Sequence, residues 1–356
     1  MSLNVRKSAV KRRWRRGILA ATLLLVVLQT EGCYYMQAVR GHADLMSRRR
    51  PTDDVIADKE SPEELRQKLE LVNAARDFAV SELKLPDNDS YRSYADLERD
   101  YVVWNVFAAP EFSLEPKTWC FPVAGCVAYR GYFSESSAKA YGQRLKEKGF
   151  DVAFGGVSAY STLGRFSDPI LNTMMRWSDL ELISTMFHEL AHQKLYVKGD
   201  SEFNESFATA VANFGSERWL RSRSELQKLE NADDLLPVRR KMMSLVSTAR
   251  EQLSTLYAED IDIELKRARK ADILSELSAD AAAYIEASGT NARNWLAAPL
   301  NNARLVSLNL YEGRTNAFRK LMEQCENQIE CFYQRAEDIA ALPHETRAAT
   351  LNALAD

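Results

Sequence analysis

Met186-Phe187-His188-Glu189-Leu190-Ala191-His192, followed by Asn204-Glu205-Ser206-Phe207-Ala208, is the stretch on which the reading of this 356-residue chain turns. On an α-helix residues four apart share a face, so His188 and His192 can each turn a ring nitrogen toward one ion at roughly 2.0–2.1 Å. Glu189 lies about 100° round the same helix, where it can act on a water beside that ion without taking a coordination position. The third ligand follows from chain length. A helix continuing to about Lys198 brings the chain to Gly199, suited to a left-handed stop, and to Asp200 or Ser201, suited to the N-cap of a second helix. If that helix folds back antiparallel, Glu205 has climbed about 8 Å and stands level with His192, whereas Glu202 stops roughly a turn short. Two histidines, one carboxylate and one open position are the pattern of catalytic zinc, so the spacing predicts one Zn2+ per chain on His188, His192 and Glu205, with Glu189 as general base. The competing reading is an amphipathic helix whose histidines make ordinary core hydrogen bonds.

His188-Glu189-Leu190-Ala191-His192 with Asn204-Glu205 and Ala208 resembles the gluzincin metallopeptidases, the HExxH class with a Glu ligand. More closely, the run from Gly32-Cys33-Tyr34-Tyr35 through Gln37-Ala38-Val39-Arg40-Gly41 and Ser47-Arg48-Arg49-Arg50-Pro51 to the two segments above is similar to the bacterial lipoproteins called putative zinc aminopeptidases. The resemblance covers most of the mature chain and implies a zinc-dependent peptidase held at a bacterial membrane. It also implies an α+β fold in which a small, mostly antiparallel sheet packs on the HExxH helix. Zinc aminopeptidases of that superfamily carry a Glu on the edge strand that grips the substrate's free amine. Here the matching stretch, Phe154 to Thr162, offers Ser158, Ala159 and Tyr160 instead, and Asp168 is the nearest carboxylate beyond it.

Residues 1–32 read as a targeting segment: Arg6, Lys7, Lys11, Arg12, Arg13, Arg15 and Arg16, then an apolar run from Ile18 to Leu28, too short to span a membrane comfortably. Gly32-Cys33 resembles a lipoprotein processing site with Cys33 as the lipidated residue, although Thr30 and Glu31 depart from the usual pattern; simple cleavage or an uncleaved anchor are the alternatives. The expected location is therefore the bacterial cell envelope, on the periplasmic side. Cys120 and Cys126, then Cys325 and Cys331, are pairs separated by six positions, which in an oxidising compartment read as two local disulfides rather than reduced core thiols. The chain has a formal net charge of −3, and its basic N-terminal run belongs to targeting, so nothing favours a nucleic-acid partner. Peptide or protein substrates, and a membrane through the N-terminal lipid, are the expected partners.

The rest divides by pattern into a leader (1–32), an α/β metallopeptidase core (33–221), a charged helical arm (222–290) and C-terminal helices completing the cleft (291–356). Apolar residues at helical spacing predict helices over 34–47 and from a Ser61 cap to about Leu83. Runs at 101–107, 118–121, 127–133 and 152–160, rich in β-branched and aromatic residues, predict strands, with a helix over 136–148 between the last two. Ser178-Asp179-Leu180-Glu181 is a capping box that opens the metal helix. Two long helices make the arm. Zinc-assisted peptide hydrolysis also needs a donor for the oxyanion, for which Tyr160 and Tyr311 are candidates, with Asn302 and Arg304 as substrate binders. His344 falls in a C-terminal loop by this reading. Three functional classes stand: an active peptidase, a zinc-retaining envelope protein without activity, and an assembly or regulatory protein that binds a partner through its arm.

Overall fold

A computed structural model describes residues 34–121, 125–229, 236–289, 298–308 and 315–355. The leader, Cys33 and Tyr311 lie outside the described residues, as does most of the 291–300 segment. The chain divides into two compact units, Met1–Arg48 and Arg49–Asp356. In the first, helix α1 covers residues 34–47 and leaves Tyr35, Met36 and Val39 exposed. Among the described residues no helix is long and apolar enough to cross a membrane.

The second unit is mixed α+β. It opens with β1 (Arg49–Pro51), α2 (Thr52–Ala57) and α3 (Glu63–Ser81). Leu69, Val72, Ala75 and Ala79 form the buried stripe of α3, whose N-cap is Pro62 rather than Ser61. Strands β2 (Ser93–Ala95), β3 (Val103–Pro110), β4 (Trp119–Phe121), β5 (Gly125–Val127), β6 (Arg130–Tyr132), β7 (Phe150–Val157) and β8 (Ile170–Leu171) follow. The helices after β6 are α4 (Glu135–Lys146), α5 (Asp179–Lys194), α6 (Ser201–Ser222), α7 (Leu236–Ala258), α8 (Ile263–Ser288), α9 (Asn302–Leu308), α10 (Thr315–Gln324), α11 (Ile329–Ala340) and α12 (His344–Ala355).

The strands form two three-stranded sheets and a hairpin. β2 pairs antiparallel with β1 and parallel with β8. β3 is central to the other sheet, antiparallel to both β6 and β7, and β4–β5 is a hairpin closed by the Cys120–Cys126 disulfide. Five successive residues of β3, Asn105 to Ala109, are buried, which a strand achieves only when both its faces are covered. Alternation assigns the covers. Val106 and Ala108 share a face with their partners Phe154 and Val152, and Gly142 of α4 approaches that face so closely that a Cβ there would sit 2.4 Å from the Phe154 ring. Phe107 and Ala153 point the other way, against Ala303 of α9. The antiparallel sheet is thus clad by α4 and α9, whereas α5 packs on α6 and α3. This differs from the expected packing of the sheet on the metal helix.

The arm is an antiparallel hairpin: Val238 and Met242 of α7 meet Ala281 and Ile285 of α8, while Val246, Leu253 and Leu256 meet Leu277. It is tied to the sheet. Lys270 reaches Asp151 of β7 at 2.6 Å and the Glu111 carbonyl at 2.8 Å. Asn302 joins this junction. It is fully buried, accepts from the Tyr257 hydroxyl at 2.7 Å and donates to the carbonyls of Pro110 and Glu111 at 3.0 and 2.9 Å. Its amide is saturated by structural bonds, so the expected substrate contact gives way to a joint between arm and sheet.

On its other flank α6 supports an aromatic core. Phe203 and Phe207 stack with each other and pack against Phe318 of α10, and Phe207 stacks on Phe332 of α11. The second disulfide, Cys325–Cys331, fastens the α10–α11 connection. His344 opens α12 instead of lying in a loop, and is exposed. Arg347 of α12 donates to Asp200 at 2.8 Å, with both side chains buried, and its other nitrogen donates to the carbonyls of Ala340 and Leu342. Removing one partner of such a pair strands the other charge. Arg347→Ala is therefore expected to destabilise the protein by about 3–5 kcal/mol, read as a lowered midpoint of thermal unfolding, with α6 the first helix to lose amide protection.

Candidate metal centre

The centre is assembled by α5, α6 and the turn between them. α5 begins as its capping sequence requires, with the Ser178 hydroxyl accepting from the Glu181 amide at 3.2 Å and acidic side chains in the first turn. It ends at Lys194, with Leu195 extended, earlier than the length argument placed it. Asn204 supplies the reason. In a continuing helix the Val197 amide would bond to the Gln193 carbonyl. Instead it donates to Asn204 Oδ1 at 2.7 Å, while Asn204 Nδ2 donates back to the Val197 carbonyl at 2.8 Å. Gly199 then takes the left-handed conformation at φ +83°, and Asp200 caps α6 by accepting from the Phe203 amide at 3.0 Å. Asn204 is thus a clamp on the turn.

This turnaround brings His188, His192 and Glu205 together. The two Nε2 atoms are 3.1 Å apart, His188 Nε2 lies 3.2 Å from Glu205 Oε2, and His192 Nε2 lies 3.6 Å from Glu205 Oε1. Three ligand atoms at about 2.05 Å from a tetrahedral ion stand about 3.3 Å from one another. The separation of the two rings and that of His188 from Glu205 lie near this value, His192 approaches the other carboxylate oxygen at 3.6 Å, and two imidazoles with one carboxylate are a donor set suited to a borderline dication. Among the described residues this is the one group of three metal-capable side chains whose donor atoms lie within 4.8 Å of one another. His192 is buried, and its Nδ1 has no hydrogen-bond partner there; the Tyr196 ring stands edge-on to it with centroids 6.3 Å apart. His188 and Glu205 are more open.

Charge within the triangle is uneven. Burial and the neighbouring His188 push the His192 pKa down to about 4, so this ring is neutral. Burial also works against charge on His188, but its hydrogen bond to Glu205 and the nearby Glu189 outweigh that and raise its pKa above the ordinary value. Burial opposes ionisation of Glu205 too, and again the His188 bond wins, lowering the pKa of the carboxyl. Glu189 lies deep in the site yet keeps some exposure. Burial raises its pKa against the opposing pull of His188 and a hydrogen bond with the Ser161 side chain.

The remaining candidates sit elsewhere or in other roles. β7 stops at Val157, so Tyr160 and Thr162 belong to a loop and not to the strand expected there. Tyr160 is half-buried, edge-on to Phe133 with ring centroids 5.5 Å apart. Asp168 is wholly buried, and its two oxygens accept from the Thr162 amide and hydroxyl, each at 2.8 Å. Arg304 lies on α9 with its Nε buried and unpartnered, and burial lowers its pKa. Neither it nor Asn302 is among the groups whose charge or hydrogen bonds act on Glu189 or the triangle. Ser161, which does act on Glu189, carries no motif signal; it was legible only as part of a presumed strand.

The model of a family described as "Putative aminopeptidase" matches residues 33–351 of this chain. No curated protein and no solved structure matches it.

In the metal-free protein His188 keeps a proton that a metal must displace. Because its folded pKa lies above the ordinary 6.5 while that of His192 lies well below, binding at pH 6.5 is expected to release more than half a proton, nearly all of it from His188. Calorimetric titration with a dication in buffers of different ionisation enthalpy checks this. Affinity is expected to fall about tenfold per pH unit below the His188 pKa and to level off above it.

Proposed function

The chain belongs to the putative aminopeptidase family, and from that premise we propose that it is a zinc-dependent peptidase of the bacterial cell envelope. The observation that carries this reading is the ligand triangle with Glu189 beside it. His188, His192 and Glu205 would hold the zinc, and the fit of their spacing to a tetrahedral face supports that assignment. When bound there, zinc supplies Lewis acidity, acidifying water and polarising a carbonyl. Glu189 takes the proton of the attacking water and returns it to the leaving amine, a role suited to a carboxyl whose burial has already raised its proton affinity. His188 and Glu205 form the open side through which a peptide enters, while buried His192 forms the closed side.

Attachment to the envelope rests on the basic and apolar leader and on Cys33 as the lipidated residue. Cys120–Cys126 and Cys325–Cys331, both formed as disulfides, suit an oxidising compartment. The oxyanion donor is proposed from Tyr160 and Tyr311.

The likeness to aminopeptidases meets one obstacle. Asp168, the first carboxylate after β7 in sequence, is wholly buried and bound by Thr162, so it is closed to a substrate amine, and residues 158–167 contain no acidic side chain. That favours cleavage within peptides as a second reading of the same chemistry.

Elemental analysis of protein purified without added metal is expected to find one zinc per chain, lost in both His188→Ala and Glu205→Ala. A wild type without zinc, or Glu205→Ala with a full complement, overturns the assignment. Glu189→Gln should keep the metal and the melting temperature while peptide hydrolysis falls by about 10²–10⁴-fold; substantial residual turnover removes Glu189 from its role.

A further inference from the structure

Helix α7 carries two stripes of different chemistry. Val246, Ala249, Leu253 and Leu256 are buried in one apolar cluster with Leu277 of α8 and Leu305 of α9. Ser247, Arg250, Glu251 and Ser254 recur at three- and four-residue spacing on another stripe, beside the 112–115 segment that follows β3. The two serines are too short to fill the gap. With Phe112, Leu114, Glu115 and Tyr257, this stripe bounds a cavity of about 500 Å³, a size typical of ligand sites. No residue of the metal centre lines it.

The walls keep their shape through bonds of their own. The Tyr257 hydroxyl donates to Asn302 at 2.7 Å, and its ring meets Phe112 edge-on with centroids 5.8 Å apart. Glu111, next to Phe112, is gripped by Arg267 through its carboxylate and by Lys270 and Asn302 through its carbonyl. Farther on, the Ser113 amide donates to the Pro110 carbonyl at 3.3 Å and the Glu115 amide to Ser113 Oγ at 3.0 Å. A cavity held in this way does not have to be ordered by its ligand.

Its charges are uncommitted. Among the described residues Arg250 is half-buried, forms no ion pair and makes one long hydrogen bond, to the Leu305 carbonyl at 3.4 Å. Burial lowers its pKa and no carboxylate opposes the shift. Such a guanidinium bears a desolvation cost that an anion would offset, and its planar fork matches a carboxylate. Glu115 and Glu251 also form no ion pair among the described residues. Two carboxylates at the same cavity disfavour a multiply charged anion and suit an ammonium group, while Phe112, Leu114 and Tyr257 offer an apolar wall. A carboxylate, an ammonium and an apolar side chain together describe a short peptide with free ends.

We propose that the cavity between α7 and the 112–115 segment is a peptide-binding site separate from the metal centre: Arg250 takes the C-terminal carboxylate of a short zwitterionic peptide, Glu115 and Glu251 face its ammonium, and Phe112, Leu114 and Tyr257 receive its apolar side chain. The site needs neither the metal nor turnover, so it does not rest on the peptidase reading.

The test is calorimetric titration of the full chain carrying Glu189→Gln, so that the probe is not consumed. The probes are leucyl-phenylalanine, its N-acetyl form, its C-terminal amide and inorganic phosphate. Leucyl-phenylalanine should bind, at least about tenfold more weakly once Arg250→Gln is added, and blocking either end should weaken it at least about fivefold. Ser254→Trp fills the cavity from an exposed position and leaves Arg250 in place; it should abolish this binding with the melting temperature within about 2 °C. The binding event lost with Arg250→Gln should persist within about twofold when His188→Ala is added. Four results overturn the proposal: no dipeptide binding, binding that survives both Arg250→Gln and Ser254→Trp, binding lost with His188→Ala, and phosphate binding as dependent on Arg250 as that of the dipeptide, which marks an anion site only. A wild type that hydrolyses no peptide counts against the peptidase reading alone.

Discussion

Everything at the candidate metal centre depends on where α5 stops and α6 starts. Two histidines one turn apart are positioned by their own helix, but the carboxylate must arrive from another helix to within a few tenths of an ångström. The Asn204 clamp on Val197 ends α5 early, and Asp200 starts α6 while also holding Arg347. Farther along, Gly215 lets α6 approach so closely that a Cβ would sit 2.6 Å from Leu83 and 2.9 Å from the Phe187 ring. The crossing is fixed at both ends. Glu205 therefore comes to rest at hydrogen-bonding distance from His188.

That preorganisation has an electrostatic form. Within the cluster His188 and Glu205 pair as opposite charges, and His192 stays neutral because burial, and then the neighbouring His188, oppose a positive charge on its ring. The two nearby carboxyls differ in the same way. Asp168 is wholly buried and closed off by Thr162, so it belongs to the framework, whereas Glu189 keeps some exposure and has its pKa raised by burial.

Much of this was legible in the residues. The capping box at Ser178, the one-turn spacing of His188 and His192, the cysteine pairs and the long arm follow from local rules; Glu205 meets the histidines as expected, although α5 ends at Lys194 and not near Lys198 and the turn is set by Asn204. The failures share a cause. The strand expected to reach Tyr160 ends at Val157, because beyond it Asp168 and Thr162 offer the backbone a knotted loop in place of a ladder. Asn302, expected to bind substrate, lies instead among Tyr257, Pro110 and Glu111, residues about 45 to 190 positions away. His344 opens a helix whose buried Arg347 is anchored by Asp200, a partner 147 residues back.

The amino-acid sequence by itself determined two histidines one turn apart, the helix that carries them and the mixed class of the fold, since helical periodicity and capping act over a few residues. Tertiary structure alone decided which face of the sheet each helix covers and how α6 is aimed at α5, so that Glu205 meets the histidines. Those outcomes depend on hydrogen bonds and close contacts between segments far apart in the chain, such as Tyr91 with Asp168 and Gly142 with Phe154. No local pattern encodes such pairings, because each residue's partner is chosen by the packing of the whole and not by its neighbours in sequence.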